Sequence, residues 1–99
     1  MTGRPVLEEL RGRREELLAI AARRGASNIA VFGSVARRDA DEHSDIDILV
    51  DLEAGRSLLD LGGLLMDLRA ALGRDVDVVT RAGLPLRIRH RVLAEATPL

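Results

Sequence analysis

Apolar residues recur at three- and four-residue intervals near the start of the chain. Val6, Leu7, Leu10, Leu17, Leu18, Ala21 and Ala22 would share one stripe of a helix, with Arg and Glu filling the other faces. The pattern predicts an amphipathic helix over Val6–Arg24, opened by Pro5 and ended by Gly25. Asn28-Ile-Ala-Val-Phe32 follows as an almost wholly apolar run, which predicts a strand covered on both faces and ending at Gly33. Ser34 to Arg38 is predicted as a short helix, and Asp39 to Ser44 as a polar loop.

The period then changes to two. Between Asp45 and Glu53 the even positions are Ile46, Ile48, Val50 and Leu52, and the odd ones are Asp45, Asp47, Leu49, Asp51 and Glu53. That alternation predicts a strand with the two sets on opposite faces. Leu58, Leu61, Leu65, Leu68 and Leu72 restore helical spacing between Ser57, a suitable N-cap, and Gly73, a suitable stop. Gly62-Gly63 weakens that helix locally. Val76, Val78 and Val79 mark a third strand, Asp75 to Thr80. Arg81-Ala-Gly83 is a turn, Pro85 suits a first helical turn, and Leu86 to Ala96 reads as a closing helix carrying Leu86, Ile88, Val92 and Leu93. Three strands sheltered by four helical segments, with no repeat or linker, predict one α/β (α+β) domain over residues 1–99, a small mixed β-sheet flanked by helices.

Composition narrows the partners. Hydrophobic residues at 46% and charged residues at 31% describe a folding chain rather than a disordered one, although 99 residues bury only a small core. Phe32 is the only aromatic residue and the formal net charge is −1, which argues against direct nucleic-acid binding: there is no ring platform for bases and no basic excess for phosphates. All fifteen basic residues are Arg, which excludes a lysine Schiff base or a P-loop lysine. The absence of Cys excludes disulfides, a thiolate nucleophile and Cys-ligated zinc, and is compatible with the cytoplasm. The N-terminal stretch mixes charge with apolar residues, so neither a signal peptide nor a membrane span is expected.

Candidate chemistry gathers in the middle of the chain. Gly33 lacks a Cβ and permits a phosphate to approach the backbone at the end of a buried strand, where the first amides of the next helix would be free donors and Ser34 adds a hydroxyl. Taken alone, a Gly-Ser turn with Ser as N-cap is the simpler explanation of that pair. Asp45 and Asp47, two residues apart on a strand, project from one face about 6 to 7 Å apart at the backbone and could converge on one cation. A polar outer strand face, which Asp51 and Glu53 fit, is the competing explanation. Asp77 lies within the apolar run Val76 to Val79, where an unpaired carboxylate is costly, whereas Asp75 at the strand's start is readily solvated; Asp77 is therefore the preferred third acid. Asp39, Asp41, Glu42 and Asp45 lack the central Gly and terminal Glu of a calcium loop, and His43 and His90 have no second ligand at metal spacing.

Gly33-Ser-Val-Ala-Arg37, a polar loop, then Ser44-Asp-Ile-Asp-Ile-Leu-Val50, resembles the signature of the nucleotidyltransferase superfamily that includes DNA polymerase beta, and more closely the minimal nucleotidyltransferase (MNT) domains. Arg74-Asp-Val-Asp-Val-Val-Thr80 resembles their third acidic strand, and the match runs in order across most of the chain. The resemblance implies that Gly33 and Ser34 hold a nucleotide's phosphates, with Arg37 steadying one of them, and that Asp45, Asp47 and Asp77 bind Mg²⁺, two ions in all, with Asp77 helping as a base. Ser44 is expected to cap the strand or bond an Asp, and Arg38 stands where the family commonly has Gly. The resemblance further implies ATP as donor and, as partner, a HEPN-domain toxin whose tyrosine receives AMP from an antitoxin of this type in a hetero-oligomer. Transfer to an aminoglycoside-like small molecule and a non-catalytic HEPN-binding module are the alternative readings.

Overall fold

The computed structural model describes residues 6–41 and 43–99. Pro5 and Glu42, to which the sequence reading gave roles, lie outside the described residues. Helix α1 spans Val6–Gly12 and α2 spans Arg14–Arg23. The single helix expected there is therefore broken at Arg13, which leaves helical geometry at φ −110°, ψ 18°. Two features account for the break. Gly12 is a poor helix former, and the apolar stripe is empty between Leu10 and Leu17, so no packing holds the axis straight across the gap. The Arg13 guanidinium bonds Glu16 at 2.9 Å and the Ala71 carbonyl at 2.8 Å, which ties the break to another helix.

Strands β1 (Ala26–Phe32), β2 (Ile46–Leu52) and β3 (Val76–Thr80) appear within a residue or two of their expected bounds. Helix α3 (Leu58–Leu72) joins β2 to β3, and α4 (Leu86–Glu95) leads into a two-residue strand, β4 (Thr97–Pro98), that the sequence pattern does not foretell. The sheet order is β3-β2-β1-β4. Strand β2 runs antiparallel to β1 and parallel to β3, and β4 pairs antiparallel with β1, which makes the sheet mixed as expected.

Alternation along β2 builds a core on each face. Ile46, Ile48 and Val50 join Ile29, Val31 and Val76 beneath α1, α2 and α3, which contribute Leu7, Leu10, Leu17, Leu64 and Leu68. On the opposite face Leu49 and Ala30 pack with Leu84 and Val92 under α4, with Phe32 and Val79 at the margin. The odd-numbered face of β2 is thus covered only at its centre: Leu49 is fully buried, Asp47 and Asp51 on either side are half-buried, and Asp45 and Glu53 at the ends are exposed.

The caps of α3 follow the sequence closely. Ser57 and Asp60 form a reciprocal capping box, and Gly73 ends the helix in the left-handed region at φ +63°. Its buried face differs by part of a turn from the one expected: Leu64 and Leu68 lie deepest, and Leu58 points to solvent. Leu58 opens the first turn, before the helix has reached the sheet. No helix among the described residues is long and apolar enough to cross a membrane.

Candidate functional site

Gly33 follows β1 directly and takes φ +68°, a left-handed conformation that only glycine adopts without strain. A Cβ there would collide with Asp47 Oδ2, so glycine also permits the acid and the loop to share this space. From Ser34 to Arg38 the chain forms hydrogen-bonded turns instead of the expected short helix. Arg37 N–H donates to the Gly33 carbonyl at 3.1 Å, Arg38 to Val35 at 3.1 Å and Asp39 to Ser34 at 3.0 Å. These three bonds span four, three and five residues, so no regular helical ladder develops. Arg38 sits at φ +64°, which explains physically why a glycine is apt at that position.

The acids are brought together by strand register. Asp47 on β2 lies between Phe32 of β1 and Asp77 of β3, its direct partners across the sheet. Asp45 immediately precedes β2, two residues before Asp47. Asp47 is half-buried, and burial pushes its carboxyl above the usual carboxylate range. Repulsion from Asp77 and Asp45, and to a lesser degree from Glu95, adds to that push, while Arg37 opposes it. Asp77 is exposed, contrary to the cost argument made from its apolar neighbours. The reason is that β3 is an edge strand, so a side chain there reaches water even within an apolar run. Asp75 is exposed as well, and its carbonyl accepts the Ile46 amide at 3.0 Å; of the two acids of that stretch, Asp77 and not Asp75 is among the charges that act on Asp47.

Hard carboxylate oxygens with an unbalanced negative charge suit a divalent cation such as Mg²⁺. Among the described residues, no three His, Cys, Asp or Glu side chains stand close enough to hold a metal as they are placed. Of the charges that act on Asp47, Arg37 alone opposes the surrounding acids, so the face carries an excess of negative charge. The donors fit the ion in chemistry and in the face they share.

The loop leading into Asp45 is held by its own hydrogen bonds. Ser44 Oγ donates to Asp41 Oδ1 at 3.1 Å and accepts the Asp41 amide at 3.0 Å, so Ser44 bonds an acid of the loop. The His43 amide at 2.8 Å and the Ser44 hydroxyl together hold the Asp41 carboxyl below its ordinary range. From the other side, Arg74 Nη2 donates to the carbonyls of Asp41 and Ser44, both at 2.6 Å. Beside this loop a cleft of about 480 Å³ is lined by His43, Ser44, Asp45, Arg69, Arg74 and Asp75, among others. It takes in Asp45 but not Asp47, Asp77 or Gly33, and so flanks the acid face rather than covering it.

Two residues of the site were given no role by the sequence. Arg74 is one. The other is Glu95, whose Oε1 accepts the Gly33 amide at 2.8 Å while Oε2 accepts from Arg37 Nη1 at 3.3 Å. The Gly33 amide is therefore engaged within the chain rather than free. The amides of Ser34, Val35 and Ala36 have no acceptor among the described residues. A glycine turn with free amides, a hydroxyl and an arginine thus stands beside a three-carboxylate face, an arrangement that can take a metal-bound polyphosphate.

A family model described as a nucleotidyltransferase domain matches residues 8–98. The chain belongs to this family. This nucleotidyltransferase is 47% identical over 71 residues to protein adenylyltransferase MntA of Thermococcus cleftensis, which covers 72% of each chain. It is 40% identical over 83 residues to a candidate protein adenylyltransferase of Methanocaldococcus jannaschii, covering 84% of this chain and 89% of that one. A solved structure described as a candidate minimal nucleotidyltransferase matches at TM-score 0.83 and 53% identity over 94% and 95% of the two chains. A mutant of the MntA–HpeT toxin–antitoxin matches at TM-score 0.66 and 25% identity, over 90% of this chain and 69% of that one.

Proposed function

We propose that this nucleotidyltransferase is an antitoxin that transfers AMP from ATP, with Mg²⁺, to a tyrosine of a cognate HEPN-domain toxin in the cytoplasm. The observation that carries the reading is the register pairing of Asp47 with Asp77, which sets a third carboxylate beside Asp45 and Asp47 next to the Gly33-Ser34 turn. Support for a protein acceptor comes from the relatives that carry the name protein adenylyltransferase. Support for a toxin partner comes from the solved toxin–antitoxin that shares this fold.

In this reading the Ser34 hydroxyl and the free amides after it hold the triphosphate, and Arg37 offsets its charge. Asp45, Asp47 and Asp77 would hold Mg²⁺, which when bound draws charge from the transferring phosphoryl group and its neighbouring oxygens. The tyrosine oxygen attacks the α-phosphorus, the bond to the bridging oxygen breaks and pyrophosphate leaves. Asp77, the exposed acid, accepts the phenolic proton. Phe32, the one ring, packs at the margin of the core under α4 and does not offer a stacking platform, so adenine recognition rests on polar contacts or on the partner.

The test is to incubate the purified chain with α-labelled ATP, Mg²⁺ and the HEPN-domain protein encoded beside it. Label should appear on a toxin tyrosine and the toxin should lose activity. No transfer by the wild type would refute the reading, as would undiminished transfer by the Asp45→Asn/Asp47→Asn variant.

A further inference from the structure

Glu95 closes α4, and a carboxylate in a last helical turn runs against the helix dipole, which favours a cation there. What places it is the sheet. Strand β4 pairs Thr97 with Val31 and Pro98 with Ala30, and the Leu99 amide donates to the Ile29 carbonyl at 3.0 Å. Glu95 lies two residues before Thr97, so this pairing brings the end of α4 to the end of β1, where Gly33 follows. There its side chain, 23% exposed, accepts the Gly33 amide at 2.8 Å and reaches Arg37 at 3.3 Å. One carboxylate therefore fixes both the residue that begins the loop and the arginine one turn later.

We propose that Glu95 is a positioning residue for nucleotide binding: it anchors the left-handed Gly33 peptide, and through it presents Ser34 and the following amides to the triphosphate while restraining Arg37. This inference rests on the nucleotide-binding part of the function proposed above. A carboxylate on a backbone amide could instead be a stand-in for phosphate, to be displaced when nucleotide arrives. The ladder favours a permanent anchor, because Glu95 is held by backbone pairing on the segment that follows it and stays beside Gly33 as long as β4 stays on β1.

The experiment compares Glu95→Ala and Glu95→Gln with the wild-type chain, by calorimetric titration of AMP-PNP in MgCl₂ and by steady-state transfer from ATP. Glu95→Ala should weaken AMP-PNP binding and raise KM for ATP about tenfold, with a smaller change in kcat, because the lost hydrogen bond has a charged acceptor. Glu95→Gln keeps an oxygen for the Gly33 amide and should recover most of that loss. Unchanged or tighter binding by Glu95→Ala overturns the proposal, the tighter case identifying a displaced stand-in. Equal loss in both variants overturns it too, since the Gly33 contact would then not be the operative one.

If Glu95→Ala fails to fold, hydrogen exchange at the Gly33 amide of the wild-type chain decides. Protection that persists or deepens when AMP-PNP is added supports the anchor, and protection lost on binding overturns it. A wild-type chain that binds no nucleotide refutes the proposed function instead. The anchor is then read in the free protein, where Gly33 exchange should be faster in Glu95→Ala than in Glu95→Gln, and equal exchange overturns it.

Discussion

Asp47 and Asp77 are direct neighbours across the parallel pair of β2 and β3, one half-buried and the other at the sheet edge. Placed so, the pair is repulsive until something positive joins it. Asp47→Asn and Asp77→Asn should each lower Mg²⁺-dependent transfer by about 100-fold or more, as expected when a ligand of the charge-stabilising ion is lost. Asp75→Asn should stay within about threefold of the wild type, because Asp75 is not among the charges acting on Asp47. Transfer rates at saturating ATP check both, and equal losses at positions 75 and 77 would remove the distinction.

The raised carboxyl of Asp47 carries a sign that stability measurements can read. Its folded value lies above the unfolded one, so its contribution is fully present below the unfolded value, about 3.9, and is lost as pH rises through the folded value. Without metal, the wild type should lose stability relative to Asp47→Asn across that rise, even though Asp41, Asp51 and Asp67, whose carboxyls are lowered, push the other way in both proteins. Melting temperatures from about pH 4 to 7 in EDTA give the difference. Added MgCl₂ should narrow it, since a cation favours the ionised acids. A difference that is flat in EDTA would contradict the electrostatic account of this face.

Much of this site is written in the chain because its elements have a clear period. The alternation from Asp45 to Glu53 places the acids on one face, and Ser57 and Gly73 bound α3 as their cap chemistry requires. What stayed hidden depends on contacts between distant segments. Strand β4 has two residues, one a proline, and neither a period nor a propensity announces it. Glu95 looks like an ordinary surface charge until β4 fixes its place, although an acid in the last turn of a helix whose other charged residues are all Arg was a signal. The exposure of Asp77 followed from strand order, which local sequence does not encode. The break at Arg13 was foreshadowed by Gly12 and by the gap in the apolar stripe.

Arg38 stands where the resemblance led a glycine to be expected, and its φ of +64° says what a side chain there entails. A side chain in the left-handed region costs about 1 to 2 kcal/mol, and glycine returns part of that, about 0.5 to 1 kcal/mol, through its freer unfolded chain. Arg38→Gly should therefore stabilise the protein by up to about 1 kcal/mol in urea denaturation, with transfer activity within about twofold of the wild type. Arg38 makes no hydrogen bond through its side chain among those described, so no contact is lost in exchange. A destabilised Arg38→Gly would mean that this turn changes conformation in solution.

Arg74 offers the sharpest separation of site geometry from fold stability. Its guanidinium reaches the carbonyls of Asp41 and Ser44 at 2.6 Å, and those residues bracket the loop that delivers Asp45 to the acid face. Arg74→Ala leaves the Asp41–Ser44 bonds in place but removes the brace between that loop and the start of β3. The loss should cost about 1 to 2 kcal/mol of stability, the scale of one or two hydrogen bonds with a charged donor. Its effect on catalysis should be larger, because a carboxylate displaced by about 1 Å can lower a rate about 100-fold. Arg74→Lys supplies a charge without the planar fork and should fall between the two. The expected signature is a raised Mg²⁺ requirement in transfer assays at temperatures where the variant is fully folded. If activity per folded molecule stays at the wild-type level while the melting temperature falls, Arg74 supports the fold alone.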